Sequence, residues 1–322
     1  MSLFFKDESY VRILITGVAG FVGSNFLDYL LSKGHHIIGV DNFSTGKKEF
    51  IENSIDNSNF TFLNFDLLNL RDLKKATKNI DIVFHFAANA DVRFGLQHPD
   101  KDLQQNTIVT FNVLEAMRYN NVKKIIFSST GSVYGEPNEF PTPENCAFPI
   151  QTSLYGASKL AAEGLIQAYC EGYDFQAWIF RFVSLLGERY SHGHVFDFYN
   201  KLRLDPNKLE VLGDGTQKKS YLYIKDCIHA VMTALEKSNQ KINFFNLGNY
   251  EYSEVKDSVK WIIEYLGLSP EIIYLGGKRG WVGDNPFIHL DISKILNLGW
   301  KPKLDIKSGI IKTISYLIDN KF

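Results

Sequence analysis

With 322 residues, 45% of them hydrophobic and 22% charged, the chain has the composition of a folded globular protein with room for a sizeable core. A formal net charge of -1 and no Lys/Arg run longer than a pair exclude the electrostatic footprint of a nucleic-acid binder. Cys146, Cys170 and Cys227 are too few and too far apart for a disulfide framework or a zinc knuckle, and no metal site is expected.

The apolar runs are strand-sized, far short of the ~20 residues of a membrane helix, so no membrane association is expected. Lys6, Asp7 and Glu8 interrupt the N-terminal segment where a signal peptide would be apolar, which predicts a cytoplasmic address. From residue 11 to 182 the sequence alternates β-branched or apolar runs with segments whose apolar residues recur three and four apart. That alternation predicts βαβ units and a parallel sheet. Strands are predicted at 11–16, 36–40, 60–65, 81–85, 124–127 and 175–180, and helices at 22–32, 71–77, 102–119 and 154–170. Residues 44–59 are polar and read as a surface excursion without chemistry. After 182 the Gly, His and Pro clusters of 187–193 and 205–215 predict a smaller lobe of short, irregular elements. A strand at 244–247 and a helix at 254–266 are expected to follow, with segments around 220–266 rejoining the core.

Directly after the first strand stand Gly17, Gly20 and Gly23, and then a helix begins. The first glycine permits a tight turn, the second lets backbone amides approach a pyrophosphate, and the third allows close helix packing. The helix N-terminus adds partial positive charge for an anion. Three glycines alone are a weak signal, but the second strand ends in Asp41-Asn42, where a carboxylate can accept bonds from an adenosine ribose. The same carboxylate would repel a 2′-phosphate, which favours NAD over NADP. Asp66, followed by Leu67, offers a carboxylate for the adenine amino group or, alternatively, caps the next helix. Small residues in Phe86-Ala87-Ala88 let a cofactor pass close to the backbone.

These spacings, together with His85-Phe86-Ala87-Ala88, resemble the extended short-chain dehydrogenases, among them the UDP-galactose 4-epimerases, over nearly the whole chain. The resemblance implies an α/β fold: a doubly wound parallel Rossmann sheet over residues 1–183 and a smaller C-terminal substrate-binding lobe, mainly 184–322. It also adds Phe21, Val22, Asn106, Ser128 and Phe182 to the expected NAD contacts.

A Tyr followed four residues later by Lys recurs at Tyr29/Lys33, Tyr119/Lys123, Tyr155/Lys159, Tyr221/Lys225, Tyr252/Lys256 and Tyr274/Lys278. Only Tyr155 and Lys159 lie one turn apart on a predicted helix that follows the fifth strand and its exit at Ser128-Ser129-Thr130. Taking a hydride from an alcohol carbon needs a base for the hydroxyl proton, and a phenol with a pKa near ~10 is a poor one at neutral pH. A neighbouring Lys159 ammonium would favour the phenolate and bind the nicotinamide ribose, while Thr130 would orient the sugar oxygen. The resemblance implies the same three roles.

Relatives that dehydrate the sugar carry an acidic residue just after the Ser/Thr position, where this chain has Gly131 and Ser132. Relatives that epimerise C3 and C5 place a Cys near that turn, and none lies there. Oxidation at C4 remains. Ser184 stands where 4-epimerases commonly have Asn, and Lys219 where a phosphate-binding Arg is usual; Lys keeps the charge and loses the bidentate fork. The resemblance places Arg279 as a second phosphate ligand and adds Val211, Tyr221 and Asp284 to the substrate contacts. His192 and His194 lack a third metal ligand at a recognisable spacing and read as part of a loop that either faces the substrate, with His194 as the expected contact, or is merely surface. Ser184, Lys219 and that loop tilt the expectation toward a GDP-heptose 4-dehydrogenase that stops at the 4-keto sugar, serving capsule or other surface polysaccharide synthesis, over a UDP-hexose 4-epimerase. A non-catalytic NAD sensor is the alternative from another class, and it would be expected to lose Tyr155 or Lys159. A homodimer through the 102–119 and 154–170 helices is expected by analogy.

Overall fold

Five residues, Arg12–Thr16, form β1, and their side chains alternate between two cores: Ile13 and Ile15 enter one, Leu14 the other. The computed structural model describes residues 10–147 and 150–320. The expectation about a signal peptide, read from residues 1–10, therefore falls almost wholly outside the described residues. After β1 come α1 (Phe21–Ser32), β2 (His36–Asp41), β3 (Phe60–Asn64), α2 (Leu70–Ala76) and β4 (Ile82–His85). They are followed by α3 (Val109–Tyr119), β5 (Lys124–Thr130), α4 (Leu154–Tyr173) and β6 (Gln176–Phe182). Further on lie α5 (His194–Leu204), α6 (Ile224–Lys237), β7 (Ile242–Leu247), α7 (Val255–Leu266) and α8 (Ile306–Asp319).

The seven strands make one sheet in the order β7-β6-β5-β4-β1-β2-β3, every pair parallel. Helices cover both faces, which is why the strands read as nearly continuous apolar runs. Phe84 and Ile126 join the first core, whereas Val83, Ile125 and Phe127 join the second beneath α3 and α4. The chain leaves β3 at one edge and returns beside β1 as β4, so the sheet's switch point opens between the carboxyl ends of β1 and β4.

Three expectations are corrected. The fifth and sixth strands run further than predicted, to Thr130 and Phe182, because each stays hydrogen-bonded to its neighbour through the polar residues at its end. The 102–119 helix is interrupted by a π-helical stretch, Leu103–Ile108, before α3 begins. The second half of the chain is also less irregular than its Gly and Pro clusters imply, since α5, α6 and α8 span 11, 14 and 14 residues. In α6, Ile224, Ile228, Val231 and Leu235 lie on one buried face. Small sheets complete this half: Ser184–Leu186 pairs with Tyr221–Tyr223, Lys208–Val211 with Glu271–Tyr274, and Lys218–Lys219 lies between Ser253–Glu254 and Phe287–Ile288. Among the described residues no helix is long and apolar enough to cross a membrane.

Candidate active site

The glycine loop is built as its sequence requires. Gly17 adopts φ +69°, its N–H donates to the Val40 carbonyl at 2.8 Å, and a Cβ on it would meet the Ala87 backbone at 2.8 Å. A Cβ on Gly23 would lie 2.1 Å from the Gly17 carbonyl oxygen, so α1 can approach the loop only with glycine there. Gly20 caps α1 without a side-chain bond, and Phe21 and Val22 follow in its first turn. The amides of this turn, at the positive end of the helix, form the donor set that an anionic pyrophosphate needs.

Asp41 receives the Ala19 N–H at 3.0 Å and the Phe43 N–H at 2.8 Å. Burial pushes its carboxyl up, and those backbone bonds oppose the rise. Asn42 donates to Asp66 at 3.0 Å, tying the ends of β2 and β3 together. Asp66 is not the helix cap: it holds the Leu68 N–H at 2.8 Å, while Asn69 caps α2. Leu67 is buried beside it, its carbonyl accepting from Asn112. The 44–59 segment is a surface excursion, as expected, anchored to the glycine loop. The Lys47 N–H donates to the Ala19 carbonyl at 3.0 Å, Gly46 packs against the Asp41 carboxylate, and Phe50 and Ile51 are buried.

Across the switch point, Phe86 packs on Phe26, and the Ala87 N–H donates to Thr16 Oγ1 at 3.3 Å, with Ala88 next in the chain. His85 bridges Thr16 and Thr110 at 2.7 and 3.0 Å; burial, then the Lys159 charge, push it down to about 3, so it is a neutral structural link. Ser128 donates to the His85 carbonyl, and Phe182 ends β6 in the buried layer. Asn106 is fully engaged internally: it accepts from the Asn89 N–H and donates to Ser158 at 2.9 Å.

Thr130, Tyr155 and Lys159 come together at the carboxyl end of β5. Ser153 caps α4 by accepting the Gly156 N–H at 3.0 Å, and Tyr155 enters in the first turn, hydrogen-bonded to Thr130. Burial pushes the Tyr155 phenol up to about 12, the Thr130 bond opposing and the Asp102 charge adding to the rise. Lys159 is 1% exposed and pushed down to about 7 by burial, Glu163 opposing. Its ammonium stands 4.2 Å from the centre of the Phe127 ring. The expected lowering of the phenol by Lys159 is therefore corrected: burial dominates at both groups.

Beneath them, Glu163 holds Arg181 in a two-pronged pair at 2.7 and 3.1 Å and accepts from Ser129 at 2.5 Å, while Arg181 donates to Tyr134 at 2.7 Å. Arg181→Met leaves the Glu163 carboxylate buried and unpaired, an expected loss of about 3–5 kcal/mol that thermal or denaturant unfolding will report.

The substrate-lobe expectations fare differently. Ser184 is exposed at the start of its short strand, opposite Tyr221. His194 is joined to the Tyr221 hydroxyl at 3.0 Å and pushed down to about 3 by burial and then by Lys219, so it stays neutral. Val211 is fully buried in core contacts. Lys219 pairs with Asp284 at 2.7 Å and also donates to the Asn285 carbonyl, and Asp284 takes the Gly280 N–H with its other oxygen. A shorter side chain without the guanidinium fork turns inward to the nearest buried carboxylate. Arg279 is half-exposed and ion-paired with Glu136. Among the described residues no group of three His, Cys, Asp or Glu is arranged to hold a metal.

The sequence reading missed Arg93 and Trp281. Arg93 pairs with Asp197 at 3.2 Å and covers the Trp281 ring at 5.8 Å, linking the turn after β4 to the 276–286 loop. That loop rests on the start of α4, where Thr152 donates to Asn285 at 2.7 Å. Each partner is distant in sequence, so no local spacing marks the group.

A switch-point crevice with a glycine turn and a Thr-Tyr-Lys cluster defines a dinucleotide-dependent oxidoreductase site. The sequence profile described as the NAD dependent epimerase/dehydratase family matches residues 13–248, and the chain belongs to that family, with NAD as its cofactor. It is similar to a putative UDP-glucose 4-epimerase of Methanocaldococcus jannaschii, 34% identical over 96% of this chain and 99% of the relative. It is also similar to UDP-glucuronic acid decarboxylase 1 of Xenopus tropicalis, 31% identical over 97% of this chain and 73% of the relative. The crystal structure of UDP-glucuronic acid 4-epimerase from Bacillus cereus, in complex with UDP-glucuronic acid and NAD, superimposes with a TM-score of 0.88 at 31% identity, covering 96% of this chain and all of that one.

Proposed function

We propose that the protein is a 4-epimerase of a UDP-activated hexose. The observation that carries this reading is the meeting of Thr130, Tyr155 and Lys159 beside the crevice between β1 and β4. Two of the three similar proteins are named as 4-epimerases, which supports that outcome, and none is named for release of a heptose ketone.

In this reading residues 1–183 hold the cofactor and 184–322 mainly the sugar nucleotide. Gly17, Gly20, Phe21, Val22 and Gly23 hold the pyrophosphate, Asp41 and Asn42 the adenosine ribose, and Asp66 and Leu67 the adenine. Phe86, Ala87, Ala88, Ser128 and Phe182 line the path to the nicotinamide, and Lys159 holds its ribose. NAD, when bound, supplies the acceptor for the hydride on sugar C4. Thr130 orients the C4 oxygen, and Tyr155 takes its proton as the C–O bond becomes a carbonyl and returns it on reduction. Lys219, paired with Asp284, and Arg279, paired with Glu136, are the cations that would exchange a carboxylate for the diphosphate.

Ser184 favours a second reading, the 4-dehydrogenase. Exposed where an Asn side chain would hold the keto sugar for its return, it offers a shorter hydrogen-bonding arm. Incubation with UDP- and GDP-sugars, followed by mass and NMR analysis, separates the two: inverted C4 without an external oxidant supports the epimerase. A 4-keto product that accumulates only with an oxidant supports the dehydrogenase.

Leu103 at 55%, Ile108 at 40% and Phe111 at 41% exposure make an apolar stripe beside α4, which we assign to a homodimer contact in a cytoplasmic enzyme.

A further inference from the structure

A second carboxylate stands behind the candidate site, and the mechanism above does not use it. Asp102 is 1% exposed at the end of the short helix Pro99–Asp102. Its Oδ1 accepts from Asn89 Nδ2 at 2.9 Å and from Asn106 Nδ2 at 3.3 Å, whereas Oδ2 has no hydrogen-bond partner. Its neighbours are two amides and the like charge of Asp91, an expensive setting for a buried carboxylate that packing alone does not require.

The bonds lead from Asp102 into the site. Asn106, within the π-helical stretch, donates to Ser158 Oγ at 2.9 Å, and Ser158 Oγ donates to the Tyr155 carbonyl at 2.8 Å. Thr107 fastens the same turn through the Ser158 carbonyl at 3.1 Å. We propose that Asp102 is a positioning residue of this site, the anchor that fixes Asn106 and, through Ser158, the turn that carries Tyr155. This rests on the assignment of Tyr155 as acid/base and adds the group that holds it in place.

The same carboxylate sets a like charge against the phenolate, in the direction that burial already acts. Around Tyr155 and Asp102 stand Lys159 with Glu163 behind it on α4, His85 on β4 and Asp91 after β4. Of these only Asp102 both joins the Tyr155 turn by hydrogen bonds and raises the phenol.

The test uses the full chain without and with NAD. The ultraviolet phenolate signal that Tyr155→Phe removes isolates Tyr155, and in Asp102→Asn its midpoint is expected to fall by about one pH unit, with the rising limb of the turnover profile moving likewise. Ser158→Ala keeps the charge and cuts the link, and should lower kcat about tenfold without moving that midpoint. Wild-type midpoint and rate in Asp102→Asn, or wild-type kcat in Ser158→Ala, would overturn the proposal. Wild-type turnover in Tyr155→Phe would instead overturn the acid/base assignment beneath it.

Discussion

Replacing Tyr155 by Phe is expected to lower turnover by about 10³-fold or more while NAD affinity stays within about twofold of wild type. The ring of Tyr155 is partly buried at the head of α4, and Phe fills the same space, so packing is kept. What is lost is the hydroxyl bonded to Thr130, to which the proposed mechanism gives the proton of the sugar oxygen. With that phenol held near 12, the wild-type rate should rise with pH below the phenol's own titration, because the deprotonated form is the base. Tyr155→Phe should flatten that rise. Product formation from UDP-glucose or UDP-galactose, measured alongside a fluorescence titration with NAD, checks both halves.

Gly23→Ala should have the second-largest effect. The added methyl would meet Gly17 oxygen at 2.1 Å, Gly17 carbon at 2.8 Å and Val18 Cα at 2.9 Å, all backbone atoms that cannot swing aside. Either α1 shifts from the sheet or the pyrophosphate turn opens. The expected result is a loss of about 1–3 kcal/mol in stability and a rise in the NAD Kd of about a hundredfold. Gly164→Ala in the middle of α4, where a Cβ meets nothing within 4 Å, is the control. It should stabilise the protein by about 0.5–1 kcal/mol with NAD affinity unchanged, as thermal unfolding and the same titration will show.

The cofactor half was legible because its determinants are local. Gly17, Gly20 and Gly23 act through backbone geometry within one turn, and Tyr155 and Lys159 share a helix face four residues apart; each spacing is weak alone, and their order around the predicted strands singles them out. The substrate half was not. The Lys219–Asp284 pair joins residues 65 positions apart, and Arg93, Asp197 and Trp281 meet only after distant parts of the chain have packed. The 44–59 segment lies at the surface as its polarity implies, and its anchoring to Ala19 through the Lys47 N–H had no signal in the sequence. Asp102 and Asn106 stand four residues apart, but that spacing is common on any helix, and the bond to Asn89 and the burial of Asp102 are properties of the fold.

The most direct measurement uses UDP-glucose and UDP-galactose deuterated at C4, incubated with enzyme and NAD and no external oxidant, the products read by NMR and mass. The expected result is the C4 epimer with its deuterium still on C4, since the atom leaves and returns within one active site. Both sugars recovered without inversion, or inversion with the C4 deuterium replaced from solvent, would contradict it.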